Sequence, residues 1–292
     1  VIKGPYASGS LSIWIGPMSS NKTTTLTMNL GMLADLDSTF RVALISHVND
    51  LLRENTMESS VNGVTSHGSH FNGISKKITI FHLSFLKAFT HLNKYDIIGI
   101  DEGQFFPDLA EFVRIWVLEK KKIVMISSLD GDFEMKPFGQ VLELIPLSRQ
   151  TIKLTACCKL CRIFQHDNLS PQIASYSARL SSTNTQVEIG GKDKYVPTCL
   201  RCHQLVDRAR FLANEGKSEA LFLLHQLCTI ELSKDTMLSP SLSPTPMETP
   251  TQLYESHPVQ KFPIQNLEEM DHYKELSREE KIVRIRDLVS SL

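Results

Sequence analysis

The chain has 292 residues, a formal net charge of −1 and a pI near 6.9. That length suits one large domain or two smaller ones, with ample chain for a core. The balanced charge argues against a dedicated nucleic-acid binder, which carries a basic excess, and no apolar run approaches a bilayer span. Six cysteines, four of them in two C-x-x-C pairs, in a chain with no visible export signal favour metal over disulfides. A soluble, cytoplasmic protein is expected.

In chain order, the apolar run Leu11 to Ile15 predicts a strand that leads directly into Gly16-Pro17-Met18-Ser19-Ser20-Asn21-Lys22-Thr23. The spacing is that of a P-loop, G-x-x-x-x-G-K-[ST], with Asn21 where the second glycine belongs. In such a loop backbone N–H groups and a helix N-terminus surround phosphates, Lys22 neutralises β/γ charge and Thr23 reaches Mg²⁺. Alone, the pattern also fits a strand–turn–helix with an incidental lysine. Leu26, Met28, Leu30 and Leu33 support the helix that follows. Val42 to Ser46 reads as the next strand, residues 47–76 as a mobile polar loop whose histidines lack metal-ligand spacing, Ile78 to Phe81 as a strand and Leu83 to Leu92 as a helix.

Ile97 to Ile100 is an apolar run ending in two adjacent carboxylates, Asp101 and Glu102. It reads as a doubly buried parallel strand, and ligands of open α/β sheets bind beyond such strand ends. Alternation along a strand would point the two acids to opposite faces, giving one to a metal and one to a substrate proton. A helix with Leu109, Phe112, Val113 and Trp116 follows, its aromatics read as core. Then come a strand over Ile123 to Ser128, a helix over Val141 to Leu147 and a last strand over Thr151 to Thr155. Strands alternating with helices predict a doubly wound, mostly parallel α/β sheet of the P-loop NTPase-like kind.

At Ala156 the composition changes. Cys158-Lys159-Leu160-Cys161 and Cys199-Leu200-Arg201-Cys202 form a four-sulfur site for zinc. Cys157 is a rival to Cys158, but only Cys158 gives the two-residue spacing. With every position filled by cysteine, the zinc would be structural. Cys228 sits in a helical run and should be buried. Arg208 to Leu232 reads as one helix, Leu238 to Thr251 as an extended Ser/Pro/Thr linker, and Ser277-Arg278-Glu279-Glu280 as a capping box opening a short amphipathic helix. The expected division is 1–156 (nucleotide-binding), 157–206 (zinc knuckle and loop) and 207–292 (extension).

A phosphate loop, an acidic strand end and a zinc knuckle pair in this order, with Ile100-Asp101-Glu102-Gly103-Gln104-Phe105-Phe106-Pro107-Asp108, resemble the zinc-containing, cytosolic (type II) thymidine kinases. Leu129-Asp130-Gly131, Lys136-Pro137-Phe138-Gly139, Lys153-Leu154-Thr155-Ala156 and Gly190-Gly191 with Asp193-Lys194-Tyr195 extend the match over about Leu11 to His203. The resemblance implies transfer of the ATP γ-phosphoryl group to the 5′-hydroxyl of thymidine, giving dTMP for DNA synthesis. Glu102 matches the general base. Gly16, Ser19, Ser20, Asn21, Lys22, Thr23, Asp101 and Gln104 would surround ATP and Mg²⁺. Met18, Phe105, Leu129, Phe133, Phe138, Val187, Ile189, Gly190 and Tyr195 would hold thymidine beneath a loop, the lasso, anchored by zinc at Cys158, Cys161, Cys199 and Cys202.

The family further implies a homotetramer with feedback by thymidine triphosphate; the balanced charge and the lack of a long apolar run lead to the expectation of no nucleic-acid or membrane partner. The departures are Ser19-Ser20-Asn21-Lys22-Thr23, where the family has Phe-Ser-Gly-Lys-Ser, and a loose Asp50 and Arg53 match to the family's Asp-x-Arg. The alternative is a catalytically weakened relative that binds nucleoside or a partner protein. The segment after Val206 lies outside the resemblance. It is expected to be dispensable for phosphoryl transfer and free to bind an unknown protein.

Overall fold

Six strands, β1 (Ser10–Ile15), β2 (Val42–His47), β3 (Ile78–Leu83), β4 (Ile97–Ile100), β5 (Ile123–Ser128) and β6 (Gln150–Lys153), form one sheet in the order β3-β2-β4-β5-β1-β6. Every pairing in it is parallel. This is a computed structural model that describes residues 8–49, 78–164, 172–188, 194–235, 273 and 275–290. The predicted loop over residues 47–76 and the linker after Leu238 fall almost wholly outside these residues.

Both faces of the sheet are buried, and strand alternation divides them. Leu11, Ile13, Ala43, Ile45, Ile98 and Ile100 join a core with Leu109, Val113 and Trp116. Their neighbours Trp14, Val42, Leu44 and Ile97 pack with Leu26, Leu30 and Ala34 of helix α1 (Lys22–Leu36) on the other face. The order places β1 between β5 and β6, and β4 beside β5. The carboxyl ends of β1, β4 and β5 are thereby brought side by side, with Ile15 in register with Ser128 and Ile100 with Ile126.

Several expected elements change form. The helix expected over Leu83 to Leu92 is two short 3-10 turns, Leu86–Ala88 and Leu92–Lys94. The Asp108 carboxylate accepts the amides of Leu86 and Lys87, and Phe89 turns back onto Phe81 and Tyr95. Val141–Leu147 is also 3-10, with Pro146 inside it lacking the amide that an α-helix requires. Helix α2 (Leu109–Arg114) runs on as a π-turn over Ile115–Glu119 with Trp116 buried, as its aromatic pattern predicts.

A second, smaller core lies after β6. It holds the short pairs β7 (Ala156–Cys157) with β8 (Ile173–Ala174) and β9 (Tyr176–Arg179) with β10 (Tyr195–Thr198), and helix α3 (Lys159–Phe164). The single helix expected over Arg208 to Leu232 is two, α4 (Leu200–Asn214) and α5 (Glu219–Asp235). Gly216, at φ +85°, ends the first of them. The Lys217 amide returns to the Leu212 carbonyl and the Gly216 amide to that of Ala213, a Schellman closure that glycine permits.

The last helix, α6 (Arg278–Ser290), opens with the predicted capping box. Ser277 N donates to the Glu280 carboxylate at 2.7 Å and Glu280 N to Ser277 Oγ at 3.2 Å. Val206, Ala209, Leu221, Leu223, Leu224, Leu227, Cys228 and Ile285 all share one buried cluster with Cys158, Cys202, Ala178 and Val196. The C-terminal helices therefore pack into the cysteine-bearing lobe.

Candidate active site

The turn after β1 is built by its backbone. Gly16 has φ +144°, and a Cβ there would lie 2.3 Å from the Leu154 carbonyl oxygen, so only glycine fits. Ser20 Oγ and Lys22 Nζ both donate to the Pro17 carbonyl, at 2.8 and 2.7 Å. Asn21, exposed at the head of α1, takes φ 60°, ψ 28°, a left-handed conformation that asparagine adopts more readily than other side-chain-bearing residues. Ser19 is also at φ 60°. The helix that starts at Lys22 thus presents its N-terminal amides at the mouth of the turn.

Facing that mouth is the end of β4. Asp101 is 2% exposed, and its Oδ1 accepts from Thr23 Oγ1 at 3.0 Å and from the Ser127 hydroxyl. The expected division of Asp101 and Glu102 by strand pleat does not hold, because β4 ends at Ile100. Their separation comes instead from the left-handed backbone of Glu102 (φ 53°, ψ 45°), a conformation rare for a non-glycine residue and a common mark of functional turns. Gln104 is tied at both ends. Its Oε1 accepts from Ser128 Oγ at 3.0 Å and the Leu129 amide at 2.9 Å, while Nε2 donates to Glu102 Oε2. Gln104 therefore orients the Glu102 carboxylate from the end of β5. His47 packs edge-on to Phe106 behind it. Burial holds the imidazole below its usual pKa, against the opposing pull of the Ser84 backbone and the Glu102 charge.

Beside these acids is a narrow cleft. Met18, Phe105, Leu129, Phe133, Phe138, Val187 and Tyr195 line it, together with Gly131, Asp132, Ser177, Gln186 and Glu188. The first seven were expected from the sequence to line a pocket; the other five were not. Ile189 and Gly190 lie outside the described residues, as do Asp50 and Arg53. The cleft is an apolar, aromatic slot with a few polar groups, the usual composition of a small-molecule site. Two bonds close it across the lobes: Met18 N donates to Ser177 Oγ at 2.9 Å, and Gln186 Nε2 to Asp132 Oδ2 at 2.9 Å.

The segment leading to Glu188 is held by side chains rather than by a ladder. Arg179, 1% exposed, donates to the carbonyls of Thr183, Thr185 and Gln186 and to Tyr195 Oη. Burial alone would raise the Glu188 pKa, but hydrogen bonds from Ser181, Thr183 and Lys194 outweigh it and bring the carboxyl down to about 2.

Cys158, Cys161, Cys199 and Cys202 meet at the base of this lobe, their sulfurs all within 4.8 Å of one another. Cys161 Sγ is 3.7 Å from Cys199 Sγ and 3.5 Å from Cys202 Sγ. A tetrahedron with Zn–S bonds of about 2.3 Å has edges of roughly 3.8 Å, so the donor set fits the ion. Cys157, the rival ligand, is exposed and outside the cluster, and Cys228 is buried as expected.

A family model described as thymidine kinase matches residues 9–203. Thymidine kinases of Raccoon poxvirus and Monkeypox virus are each 37% identical over 196 residues, 67% of this chain and 97% of theirs. That of Vaccinia virus (strain Tian Tan) is 34% identical over 197 residues, with the same coverage.

Proposed function

The chain belongs to the thymidine kinase family, and we propose that it transfers the γ-phosphoryl group of ATP to the 5′-hydroxyl of thymidine, giving dTMP for DNA synthesis. One observation carries this reading. Glu102 is held by Gln104, and its chain neighbours join two built sites: Asp101 bonds Thr23 of the loop and helix start at Gly16 to Thr23, and Phe105 lines the aromatic cleft with Leu129, Phe133 and Phe138. Phosphoryl transfer depends on positioning and on charge stabilisation more than on covalent chemistry, and these are the services such an arrangement supplies.

In this reading the α1 amides and Lys22 bind the ATP phosphates. Thr23 and Asp101, 3.0 Å apart, hold Mg²⁺, which neutralises phosphate charge when bound. Thymidine lies in the cleft with its base among the aromatic side chains. Glu102, oriented by Gln104, accepts the 5′-hydroxyl proton. One Zn²⁺ on the four cysteines has no open coordination position and is structural, fixing the base of the 180–188 segment.

Two further parts of the reading have narrower support. Met28, Met32 and Leu36 form a stripe on α1 that is 63%, 69% and 76% exposed, which supports assembly with further copies into the tetramer that the resemblance implies. Among the described residues no helix is long and apolar enough to cross a membrane, and a four-thiol cluster suits a reducing compartment, which we take to be the cytoplasm. A coupled assay of ADP release with zinc-loaded protein tests the whole reading. Release should require both thymidine and Mg²⁺, and release indifferent to thymidine would overturn it.

A further inference from the structure

We propose that Arg210, on a helix that begins in the part of the chain shared with the family and runs past its end, is a positioning residue for the nucleoside-binding segment. Through it, the C-terminal helices set the affinity for the nucleoside. This rests on reading the cleft as the nucleoside site.

Arg210 lies in the third turn of α4 and is 6% exposed. Its Nε donates to the Ser181 carbonyl at 2.9 Å, and Nη2 donates to the Thr183 carbonyl at 2.8 Å and reaches Asn184 Oδ1 at 3.4 Å. Its guanidinium also lies over the Phe133 ring, 4.2 Å from the centroid, where Arg179 lies at 3.9 Å. Phe133 lines the cleft, and residues 181–184 lead directly into Gln186, Val187 and Glu188, which line it too. One side chain therefore holds both an aromatic wall and the start of the segment that closes over it. Guanidinium suits the task because its fork can serve two carbonyls while its flat face rests on a ring.

The support for Arg210 comes from both ends of its helix. Cys199 and Cys202 pin the start of α4, about three turns before Arg210. Beyond it, Leu221, Leu223, Leu224 and Leu227 of α5 and Ile285 of α6 bury against Val206 and Ala209. Arg278 Nη2 donates to the Ile163 carbonyl at the end of α3 at 2.6 Å, and Arg284 pairs with Glu219 at 2.6 Å, so α6 is fastened to the lobe at two points. The family match stops at residue 203, and the poxvirus proteins are matched over 97% of their own length. Arg210 therefore lies past the end of the family match.

The test uses the full, zinc-loaded chain with Arg210→Ala and Arg210→Lys. Losing buried, charge-assisted hydrogen bonds from the segment should raise the thymidine KM of Arg210→Ala by about tenfold or more. Zinc content, kcat and the ATP KM should stay near those of the unaltered protein. Arg210→Lys keeps the charge but cannot fork, so its thymidine KM should fall between the two. Amide hydrogen exchange over residues 176–188, measured without substrate, should quicken in the same order. An unchanged thymidine KM with unchanged exchange would overturn the proposal. So would a loss in which zinc content and kcat fall and the ATP KM rises together in both variants, since that marks a merely structural residue. If the unaltered protein does not phosphorylate thymidine, it is the proposed function that fails, and the exchange data alone decide whether Arg210 holds the segment.

Discussion

The two sides of the cleft are built by different means. The phosphate side is made of strand ends, a tight turn and a helix start, so its geometry follows from a parallel sheet and one indispensable glycine, Gly16. The nucleoside side has little regular structure in its closing segment. Arg179, Arg210, Glu188 and four cysteines hold it, through contacts that span 29 residues from Arg210 to Ser181 and 41 from Cys161 to Cys202. A site of the first kind is rigid because its scaffold is. A site of the second kind is only as firm as a few buried charges and, in our reading, one metal ion, and so should fail separately.

The largest expected effect breaks that second side alone. Cys199→Ser should release the zinc, one ion per chain in the intact protein, and unfold the smaller lobe, since structural zinc can contribute about 10 kcal/mol to folding. The sheet, with its own two cores, should survive. Calorimetry should then show one transition near its original temperature and the other lost. A metal content indifferent to Cys199→Ser would dismiss the cluster as a zinc site.

Next in size is the group between the two sides. Glu102→Gln keeps the shape and a hydrogen-bonding partner for Gln104 but removes the proton acceptor. Turnover should fall roughly 10²–10⁴-fold, the usual worth of general-base catalysis. Thymidine binding by titration calorimetry should be nearly kept. Normal turnover in Glu102→Gln would move the base elsewhere.

These contrasts explain how much was legible in the sequence. The sheet, the turn after β1 and the cysteine cluster are written in local patterns: apolar runs, a glycine–lysine spacing and two C-x-x-C pairs. The capping box at Ser277 to Glu280 is equally local, and it formed as read. Gly216 was an available stop signal within the Arg208 to Leu232 run, and only the apolar spacing on both sides of it suggested continuity. Asp132, Ser177, Gln186 and Arg210 belong to the site only because distant segments meet, and no local pattern marks them. Arg179 left a faint trace, a single charge ending the otherwise uncharged strand Tyr176–Arg179. The C-terminal helices read as a separate extension because their apolar faces named no partner; the partner is the cysteine-bearing lobe, through Leu221, Leu224 and Ile285.

A smaller effect should separate the two sides by pH. The Glu188 carboxyl is held at about 2 against an ordinary value of 4.5, so the folded state favours its charged form. Its contribution is then complete above the ordinary value and is lost as pH falls from there towards 2. Glu188→Gln should melt lower than the unaltered protein by a few degrees, about 3 °C for 1 kcal/mol, at pH 6 to 7. That gap should close through the acid range, whatever the thiols do there, because both proteins carry them. A gap independent of pH would mean that the charge on Glu188 does not hold the segment.

The smallest effect belongs to the phosphate side and asks whether its rigidity tolerates one irregular residue. Asn21 stands where the P-loop pattern has glycine, at φ 60°, ψ 28° and with an exposed side chain. Asparagine accepts this conformation at a lower cost than other side-chain-bearing residues, and glycine accepts it at none. Asn21→Gly therefore relieves a modest strain in the folded loop, but it also loosens the unfolded chain, by about 0.4–1 kcal/mol. The two nearly cancel in stability. What remains is the phosphate approach: without a Cβ the amides at the start of α1 can close on the anion, which should lower the ATP KM by about twofold to fivefold. The thymidine KM should not move, because Asn21 is not among the residues that line the cleft. Paired substrate titrations with Mg²⁺ in excess read both constants at once. An unchanged ATP KM would show that a left-handed asparagine serves this turn as well as glycine. A changed thymidine KM would show that the two sides are coupled, and the separation drawn between them would have to be given up.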